Sequence, residues 1–100
     1  MWRDAMILTG PTASGKIAVA LYVAVRIGAE IISMDSMASY RGMDIGTAKP
    51  TPGERARVPH HLIDVLDPWE SASVAWWLEH ALMVSQNIQR RGKRVMFVGG

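Results

Sequence analysis

The sequence predicts an α/β fold organised around a parallel sheet. Short apolar runs of the strand type alternate with helical stretches, an order typical of parallel strands joined by right-handed crossovers. A glycine-rich turn stands between the first strand and the first helix, and 49% of the 100 residues are hydrophobic, which supports a packed core. We therefore predict a three-layer domain over residues 1–100 whose parallel sheet is incomplete.

The first predicted strand and helix flank the glycine-rich turn. Residues 6–8 form an apolar run that predicts a buried strand, and a helical pattern covers 17–27. The turn reads GPTASGK over 10–16 and matches the phosphate-binding pattern GxxxxGK[ST] up to its last position. Main-chain N–H groups at a helix N-terminus have no partner within the helix, so this turn predicts a diphosphate-binding loop of the P-loop NTPase type. An ordinary glycine turn with a solvated lysine is the alternative.

One of the predicted phosphate-binding residues departs from the pattern. These residues are Gly10, Pro11, Thr12, Ala13, Ser14, Gly15, Lys16 and Ile17. Lys16 supplies a movable positive charge for phosphate oxygens. Ile17 stands where Ser or Thr normally offers a hydroxyl to Mg²⁺, and its side chain has no ligand atom. Either Mg²⁺ is held from elsewhere through water, or this copy of the loop is weakened.

An acidic residue follows the second predicted strand. Gly28 ends the first helix, and the run from Glu30 to Ser33 predicts a strand that leads to Asp35. Ligands of open parallel sheets bind at the carboxyl ends of the strands. We therefore expect Asp35 and the glycine-rich turn to face one crevice, although an acid that caps a local turn is the alternative.

The middle of the chain predicts a long loop followed by a third strand. Residues 34–61 are rich in glycine, proline, serine and charged residues, and one helical turn is expected near 53–56. A loop of this length in a compact domain commonly serves as a lid or a binding surface. A short strand is predicted over 62–65.

The last predicted helix carries an apolar stripe and ends in a basic cluster. Ser73 is placed to cap its N-terminus, and Trp76 falls off the stripe, so we expect Trp76 to be exposed or to await a partner surface. The residues expected to face the core are Val74, Trp77, Leu78, Ala81, Leu82, Ser85 and Ile88. The basic residues, interpreted as a solvated helix end with RNA contact as the alternative, are Arg90, Arg91, Lys93 and Arg94.

The end of the chain predicts a cut inside a domain. A fourth strand, buried on both faces, is predicted over 95–98, and Gly99 and Gly100 follow it directly. A phosphate-loop domain usually continues with further strands and helices. We therefore expect these residues to be the N-terminal part of a longer protein.

Composition excludes several classes of function. The absence of cysteine excludes disulfides, thiolate metal sites and a cysteine nucleophile, and it is typical of a reducing cytosol. The longest apolar stretch, 17–25, is far shorter than the roughly 20 residues of a membrane-spanning helix, so we expect a soluble, cytoplasmic protein. A formal net charge of +2 is too small to identify a nucleic-acid-binding protein, although a pI near 9.4 leaves binding of a polyanion open.

Four sequence blocks, in order, resemble the tRNA dimethylallyltransferase family, also called the tRNA isopentenyltransferases. The blocks are GPTASGK at 10–16, IISMDSM at 31–37, YRGMDIGTAKP at 40–50 and VPHHLID at 58–64. The resemblance covers essentially the whole chain, as the N-terminal part of a considerably longer enzyme. It implies the same P-loop NTPase-like fold as the glycine-rich turn.

The resemblance also implies a reaction. The family transfers a dimethylallyl group from dimethylallyl diphosphate to N6 of an adenosine beside the tRNA anticodon, and releases diphosphate with the assistance of Mg²⁺. Asp35 is implied as the carboxylate that accepts a hydrogen from the attacking amine. The phosphate loop and Lys16 suit the negative charge that builds on the departing diphosphate. The implied partners are tRNA and dimethylallyl diphosphate, and we expect a monomer.

The chain departs from the family pattern at two further points besides Ile17. The implied tRNA-contacting segment is Asp35, Ser36, Met37 and Ala38, and the family has Gln where this chain has Ala38. A side-chain amide that could hold the target base is therefore missing. The family's next functional hydroxyl, a Thr directly after paired glycines, would follow Gly100. These departures indicate reduced activity for the chain in isolation.

Two pairs of neighbouring residues have both a functional and a structural interpretation. His60 and His61 point apart in an extended chain and have no third ligand at suitable spacing, so we expect no metal site there. The resemblance implies that Tyr40 and Arg41 stack on a base or pair with a phosphate of tRNA, and the alternative is an aromatic packing residue and a solvated arginine.

Two alternative functions are open at this point. A kinase for a nucleotide or small metabolite would hold ATP in the same loop, but it has no reason to share the block over 35–50. A non-catalytic remnant that still binds phosphate is favoured by Ile17 and Ala38.

Overall fold

The sheet consists of four parallel strands in the order β1-β4-β2-β3, which confirms the predicted α/β class. The structure, a computed structural model, describes residues 5–9, 16–34, 39–42 and 50–99. The strands are β1 (Met6–Thr9), β2 (Ala29–Ser33), β3 (His60–His61) and β4 (Arg94–Gly99). The helices are α1 (Lys16–Ile27), α2 (Pro52–Arg57) and α3 (Val74–Arg90). None of these described helices has the length and apolar character that crossing a membrane requires.

The sheet separates two apolar clusters, which gives the predicted three layers. Successive strand residues point to opposite faces, so Ile31 and Met96 lie on the α1 side while Ile32 and Phe97 lie on the α3 side. The α1-side cluster consists of Ala20, Leu21, Ala24, Ala29, Ile31, Val58, Met96 and Val98. The α3-side cluster consists of Ile32, Leu62, Ala81, Ile88, Val95 and Phe97. The two central strands, β2 and β4, are buried on both faces for this reason.

The prediction that the first strand is buried is wrong. Met6 is 43% exposed and Ile7 is 69% exposed. β1 is the end strand in the order of this sheet, so it has a strand neighbour on one side only within the described part of the chain. An apolar run gives the strand period but does not distinguish a central strand from an edge strand.

The predicted strand over 62–65 is also wrong. β3 is the dipeptide before it, and it pairs with β2 only through Ile31↔His60 and Ile32↔His61. Leu62 and Asp64 have φ values of 64° and 56°, in the left-handed region that an extended strand excludes. Leu62 is nevertheless 5% exposed, so its hydrophobicity reflects burial of a turn against the α3-side cluster.

The second helix is longer than the single turn predicted near 53–56. It follows a complete capping box, in which Thr51 Oγ1 accepts from the Glu54 N–H at 3.2 Å and the Glu54 carboxylate accepts from the Thr51 N–H at 2.7 Å. Pro52 suits the first helical position because an N–H group there would have no partner within the helix, so its absence in proline costs no hydrogen bond. The residues Thr51, Pro52 and Glu54 therefore mark the start of a helix as well as a turn.

The third helix begins as predicted but presents a different face to the core. Ser73 Oγ accepts from the Trp76 N–H at 3.1 Å, which confirms the N-cap. Val74 and Leu78 are 77% and 52% exposed, so the predicted stripe is wrong at these positions, whereas Ala81, Ser85 and Ile88 are buried. Trp76 is half-buried against the α3-side cluster and stacks on His80 with ring centroids 4.5 Å apart. The prediction that Trp76 is exposed or awaits a partner surface is therefore wrong, because its indole packs against the α3-side cluster beside that of Trp77.

Candidate functional site

The glycine-rich turn connects the carboxyl end of β1 to the N-terminus of α1. β1 ends at Thr9 and α1 begins at Lys16, which confirms the strand and helix that flank the turn. Gly10–Gly15 and the Lys16 side chain lie outside the described residues, so phosphate binding by them stays a prediction. An anion bound at this helix N-terminus would lie at the carboxyl edge of the sheet.

Ile17 is the phosphate-loop position whose side chain the structure describes. Its side chain is half-buried and packs against the α1-side cluster, so the side chain contributes to the core, and phosphate binding by the main chain at this position stays a prediction. Among residues 5–9, 16–34, 39–42 and 50–99, no group of three His, Asp or Glu side chains is placed to hold a metal ion. The residues that would hold Mg²⁺ are therefore not identified within these ranges.

The peptide group that leads from β2 towards Asp35 is held at both of its polar atoms. The Ser33 carbonyl accepts from Trp77 Nε1 at 2.7 Å, and the Met34 N–H donates to the Val98 carbonyl at 2.8 Å. These two atoms belong to one peptide plane, so its orientation is fixed from two sides. Asp35, Ser36, Met37 and Ala38 themselves lie outside the described residues.

The chain is anchored again directly after this segment. Ser39 is fully buried, its Oγ donates to the Leu62 carbonyl at 2.9 Å, and its own carbonyl accepts from the N–H groups of Val65 and Leu66 at 2.8 and 2.9 Å. These bonds explain the turn at 62–65, since it supplies partners to Ser39 instead of a strand to the sheet. The described residues on both sides of positions 35–38 are thus held by hydrogen bonds.

Tyr40 and Arg41 both make contacts within the chain. The Tyr40 hydroxyl accepts from the Ala72 N–H at 2.9 Å, and Arg41 Nη1 forms an ion pair with Asp67 at 2.8 Å. The Arg41 side chain is 52% exposed. These contacts support the packing interpretation for Tyr40, while Arg41 presents a half-exposed guanidinium.

Gly99 allows β4 to pass very close to the start of this segment. A Cβ atom built on Gly99 would lie 2.6 Å from Met34 Cβ, a separation that atoms of this kind do not tolerate. Gly99 also pairs with Thr9, the last residue before the glycine-rich turn. The absence of a side chain here therefore brings the roots of the two predicted functional segments onto one strand end.

The amino end of the sheet carries a buried charge cluster that the sequence did not predict. The Glu30 side chain is 5% exposed and accepts from both terminal nitrogens of Arg91, with Nη2 at 2.9 Å, and from His61 Nε2 at 2.7 Å. The hydrogen bonds from Arg91 lower the pKa of the Glu30 carboxyl from 4.5 to about 2, against the effect of burial. Arg91 is therefore a structural residue, and the interpretation of the basic cluster as a solvated helix end is wrong for it.

His60 lies on β3 next to His61, but its side chain is on the α1 side of the sheet and does not share a site with that of His61. Its Nδ1 donates to the Val58 carbonyl at 2.7 Å, and its Nε2 is buried without a hydrogen-bond partner among the described residues. Burial lowers the pKa of the His60 imidazole below its usual 6.5. The two histidines thus have separate structural contacts.

A cavity of about 300 Å³ opens at the amino end of the sheet. Its lining includes Gly28, Glu30, Arg57, Val58 and Lys93. All of these residues lie at or near the amino ends of the strands, opposite the end that carries the glycine-rich turn. The cavity therefore does not belong to the candidate catalytic edge.

Comparison with family models divides the chain into two overlapping matches. A model described as isopentenyl transferase matches residues 3–63, and a model described as IPP transferase matches residues 38–100. Each covers more than half of the chain, and together they reach from the glycine-rich turn to the end of β4.

Individual relatives agree with these models. The chain is 59% identical to a tRNA dimethylallyltransferase of Geobacter metallireducens over 95% of its length, and 53% identical to one of Rhodopirellula baltica over 100%. A crystal structure of the full-length tRNA isopentenylpyrophosphate transferase of Bacillus halodurans matches with a TM-score of 0.91 and 48% identity over 97% of this chain. A eukaryotic dimethylallyltransferase solved while acting on tRNA matches with a TM-score of 0.88 and 30% identity. The chain spans about a third of the first three proteins, at 31%, 32% and 32%, and 24% of the eukaryotic one.

Proposed function

The chain belongs to the IPP transferase family, and we propose that it is the N-terminal part of an enzyme that transfers a dimethylallyl group from dimethylallyl diphosphate to N6 of an adenosine next to the tRNA anticodon. The observation that carries this proposal is the 59% identity to a tRNA dimethylallyltransferase over 95% of the chain. The likeness to a eukaryotic dimethylallyltransferase that acts on tRNA supports tRNA as the acceptor.

The strand order supports a shared site for the two predicted functional segments. The phosphate loop follows Thr9 and the Asp35 segment follows Ser33, and both residues pair with the same end of β4, at Gly99 and Val98. Neighbouring strands lie about 4.8 Å apart, so the roots of the two segments are separated by roughly 10 Å. A small allylic diphosphate and an attacking amine fit within this span.

The proposed chemistry assigns one role to each segment. Attack of N6 on the allylic carbon forms a C–N bond and breaks the C–O bond to diphosphate, whose negative charge is taken up by the amides of Gly10–Gly15, by Lys16 and by the helix N-terminus. The Asp35 carboxylate accepts the proton that N6 loses. Ser36, Met37 and Ala38 contact the tRNA. Mg²⁺, when bound, would share the negative charge of the departing diphosphate.

The domain assignment is part of the same proposal. Residues 1–100 form the first portion of a P-loop-type core that continues in the longer protein. The 69% exposure of Ile7 on β1 supports this, because a further element packed against that strand would bury it. We expect the complete enzyme to act as a cytoplasmic monomer.

The experiment that tests the proposal compares three forms of the complete polypeptide that carries these residues: the wild type, Lys16→Ala and Asp35→Asn. Calorimetry measures binding of dimethylallyl diphosphate, and mass spectrometry of tRNA measures prenylated adenosine. We expect Lys16→Ala to weaken diphosphate binding by roughly 100-fold, and Asp35→Asn to bind normally but to lose turnover by roughly 100-fold.

The same measurements separate the alternatives. Tighter binding of ATP than of dimethylallyl diphosphate by the wild type would contradict the transferase and favour the kinase. Diphosphate binding without any prenylated tRNA would favour the non-catalytic remnant. Equal turnover in Asp35→Asn and the wild type would remove Asp35 as the base.

A further inference from the structure

We propose that Trp77 is a positioning residue for Asp35 and acts through the Ser33–Met34 peptide; this inference rests on the proposed function, which makes Asp35 the base. Trp77 Nε1 donates to the Ser33 carbonyl at 2.7 Å across 44 residues of sequence. Ser33 is the last residue of β2, two positions before Asp35. Trp77 lies on the α3 side of the sheet, and its bond to β2 is made to the main chain.

The bond stands where strand pairing stops. β3 pairs with β2 at Ile31 and Ile32 and ends there, because the left-handed conformation of Leu62 turns the chain away. In a parallel pair a carbonyl at the next position along β2 would bond to a continuing strand. The Trp77 indole supplies that missing donor to the Ser33 carbonyl instead.

The indole is held firmly enough to act as a fixed donor. It packs against the α3-side cluster, with its ring centroid 5.8 Å from that of Phe97 at an interplanar angle of 55°. An aromatic pair at this distance and tilt is favourable in itself. A phenyl ring at position 77 would keep most of this packing but would have no N–H to donate.

Both ends of the Asp35 segment are thereby determined. At its start, the Trp77 and Val98 bonds fix the Ser33–Met34 peptide plane, and at its end the buried Ser39 is bonded to the 62–66 turn. Loss of the Trp77 bond removes one of the two restraints on this peptide plane and leaves the bond from the Met34 N–H to the Val98 carbonyl, so we expect the direction in which the chain leaves β2 to be less strictly fixed.

This arrangement predicts an effect on turnover rather than on substrate binding. The phosphate loop is rooted on β1, two strands away from the Ser33 carbonyl, so the affinity for dimethylallyl diphosphate does not depend on Trp77. A base displaced by a fraction of an ångström loses its alignment with the proton it accepts. We expect kcat to fall roughly tenfold and KM for dimethylallyl diphosphate to stay within about twofold.

The experiment uses the complete polypeptide with Trp77→Phe, and with Trp76→Phe as the matched control. Trp76 is the neighbouring indole on the same helix, packs against the same cluster and stacks on His80, without a bond from its ring to β2. The readouts are kcat and KM for tRNA prenylation, and hydrogen–deuterium exchange of peptides that cover residues 34–41. Replacement of Trp77 by 3-benzothienylalanine, which exchanges the indole N–H for sulfur at nearly constant size, is the second variant in case the phenyl ring destabilises the fold.

The outcomes are distinct. Faster exchange over 34–41 together with a lower kcat and unchanged KM, in both Trp77 variants but not in Trp76→Phe, supports the inference. Faster exchange with unchanged kcat, unchanged exchange, or equal losses in Trp76→Phe would overturn it. If the wild type forms no prenylated tRNA, the proposed function fails and the positioning role fails with it, while the exchange data still show whether the bond holds the segment.

Discussion

Different kinds of interaction stabilise the amino end and the carboxyl end of the sheet. At the amino end, the buried carboxylate of Glu30 binds Arg91 and His61. At the carboxyl end, the buried bonds on either side of the Asp35 segment are neutral, from Trp77 to the Ser33 carbonyl and from Ser39 to the Leu62 carbonyl, and the ion pair between Arg41 and Asp67 that follows them is half-exposed.

This difference is consistent with an anion site at the carboxyl end. A guanidinium fixed by a carboxylate near the phosphate loop would lose part of its attraction for diphosphate, and the carboxylate would repel it. Neutral donors aimed at main-chain carbonyls position a loop without adding net charge. The amino end lies at the far side of the sheet, so a buried ion pair can serve stability there without affecting the ligand.

The largest expected effect is on the charged end. In Glu30→Gln, Arg91 and His61 lose their carboxylate partner, and because Arg91 is 45% exposed it can be hydrated in part. We expect a loss of about 2–3 kcal/mol in the free energy of unfolding, with kcat unchanged. Urea denaturation of the complete polypeptide measures this, with the exposed Glu79→Gln as control. An equal loss in the control, or a large loss of kcat, would contradict the division between the two ends.

Acid should weaken the same end selectively. The pKa of Glu30 is about 2 in the folded chain and 4.5 in the absence of its partners, so the unfolded chain takes up the proton first. The stabilisation is therefore complete above about pH 4.5 and is lost as the pH falls towards 2, by on the order of 2 kcal/mol. The unfolding free energy measured against pH should show this slope in the wild type and lack it in Glu30→Gln. Parallel curves for the two proteins would show that other groups cause the acid sensitivity.

At the neutral end, Gly99→Ala should reduce both stability and activity. The added methyl group would lie 2.6 Å from Met34 Cβ, so Met34 must move. We expect a cost of about 1–2 kcal/mol and a lower kcat, because Met34 precedes Asp35. Gly53→Ala is the control, since the nearest atom to its new methyl group is 4.0 Å away and alanine favours the helix. Full activity in Gly99→Ala would show that this close approach does not position Asp35.

The smallest expected effect separates two helix caps. Ser73→Ala and Thr51→Ala each remove a side-chain acceptor at a helix N-terminus, and each should cost about 1 kcal/mol. Only Ser73 caps the helix that carries Trp77, one turn from the cap. We therefore expect a modest decrease of kcat in Ser73→Ala alone, measured beside thermal unfolding of both variants. The same kcat in both would separate the α3 cap from the site.

The elements with clear periodicity were predictable from the sequence. The helix over 17–27, its end at Gly28 and the strands at 30–33 and 95–98 follow from local pattern, and the structure has them within one or two residues. The resemblance identified the family from short blocks, which the family models confirm.

What could not be predicted depends on partners that are distant in sequence. From the local sequence Glu30 is only a strand residue, because its partner Arg91 lies 61 positions later, at the end of α3. The run over 62–65 looks like a strand because its buried side chains are apolar, yet its main chain bonds to Ser39. Trp77 was assigned to the core correctly, but apolar periodicity contains no information about the direction of its N–H. A single acid within a β-branched run and an indole facing a strand end are the signals that could have found them.

The two lateral borders of the sheet differ in their capacity for intermolecular pairing. β3 contributes only two residues before Leu62 turns away, which is too short to template another strand. β1 is four residues long and 69% exposed at Ile7. Aggregation of the isolated chain should therefore begin along β1, and a lysine at position 7 should raise its solubility limit.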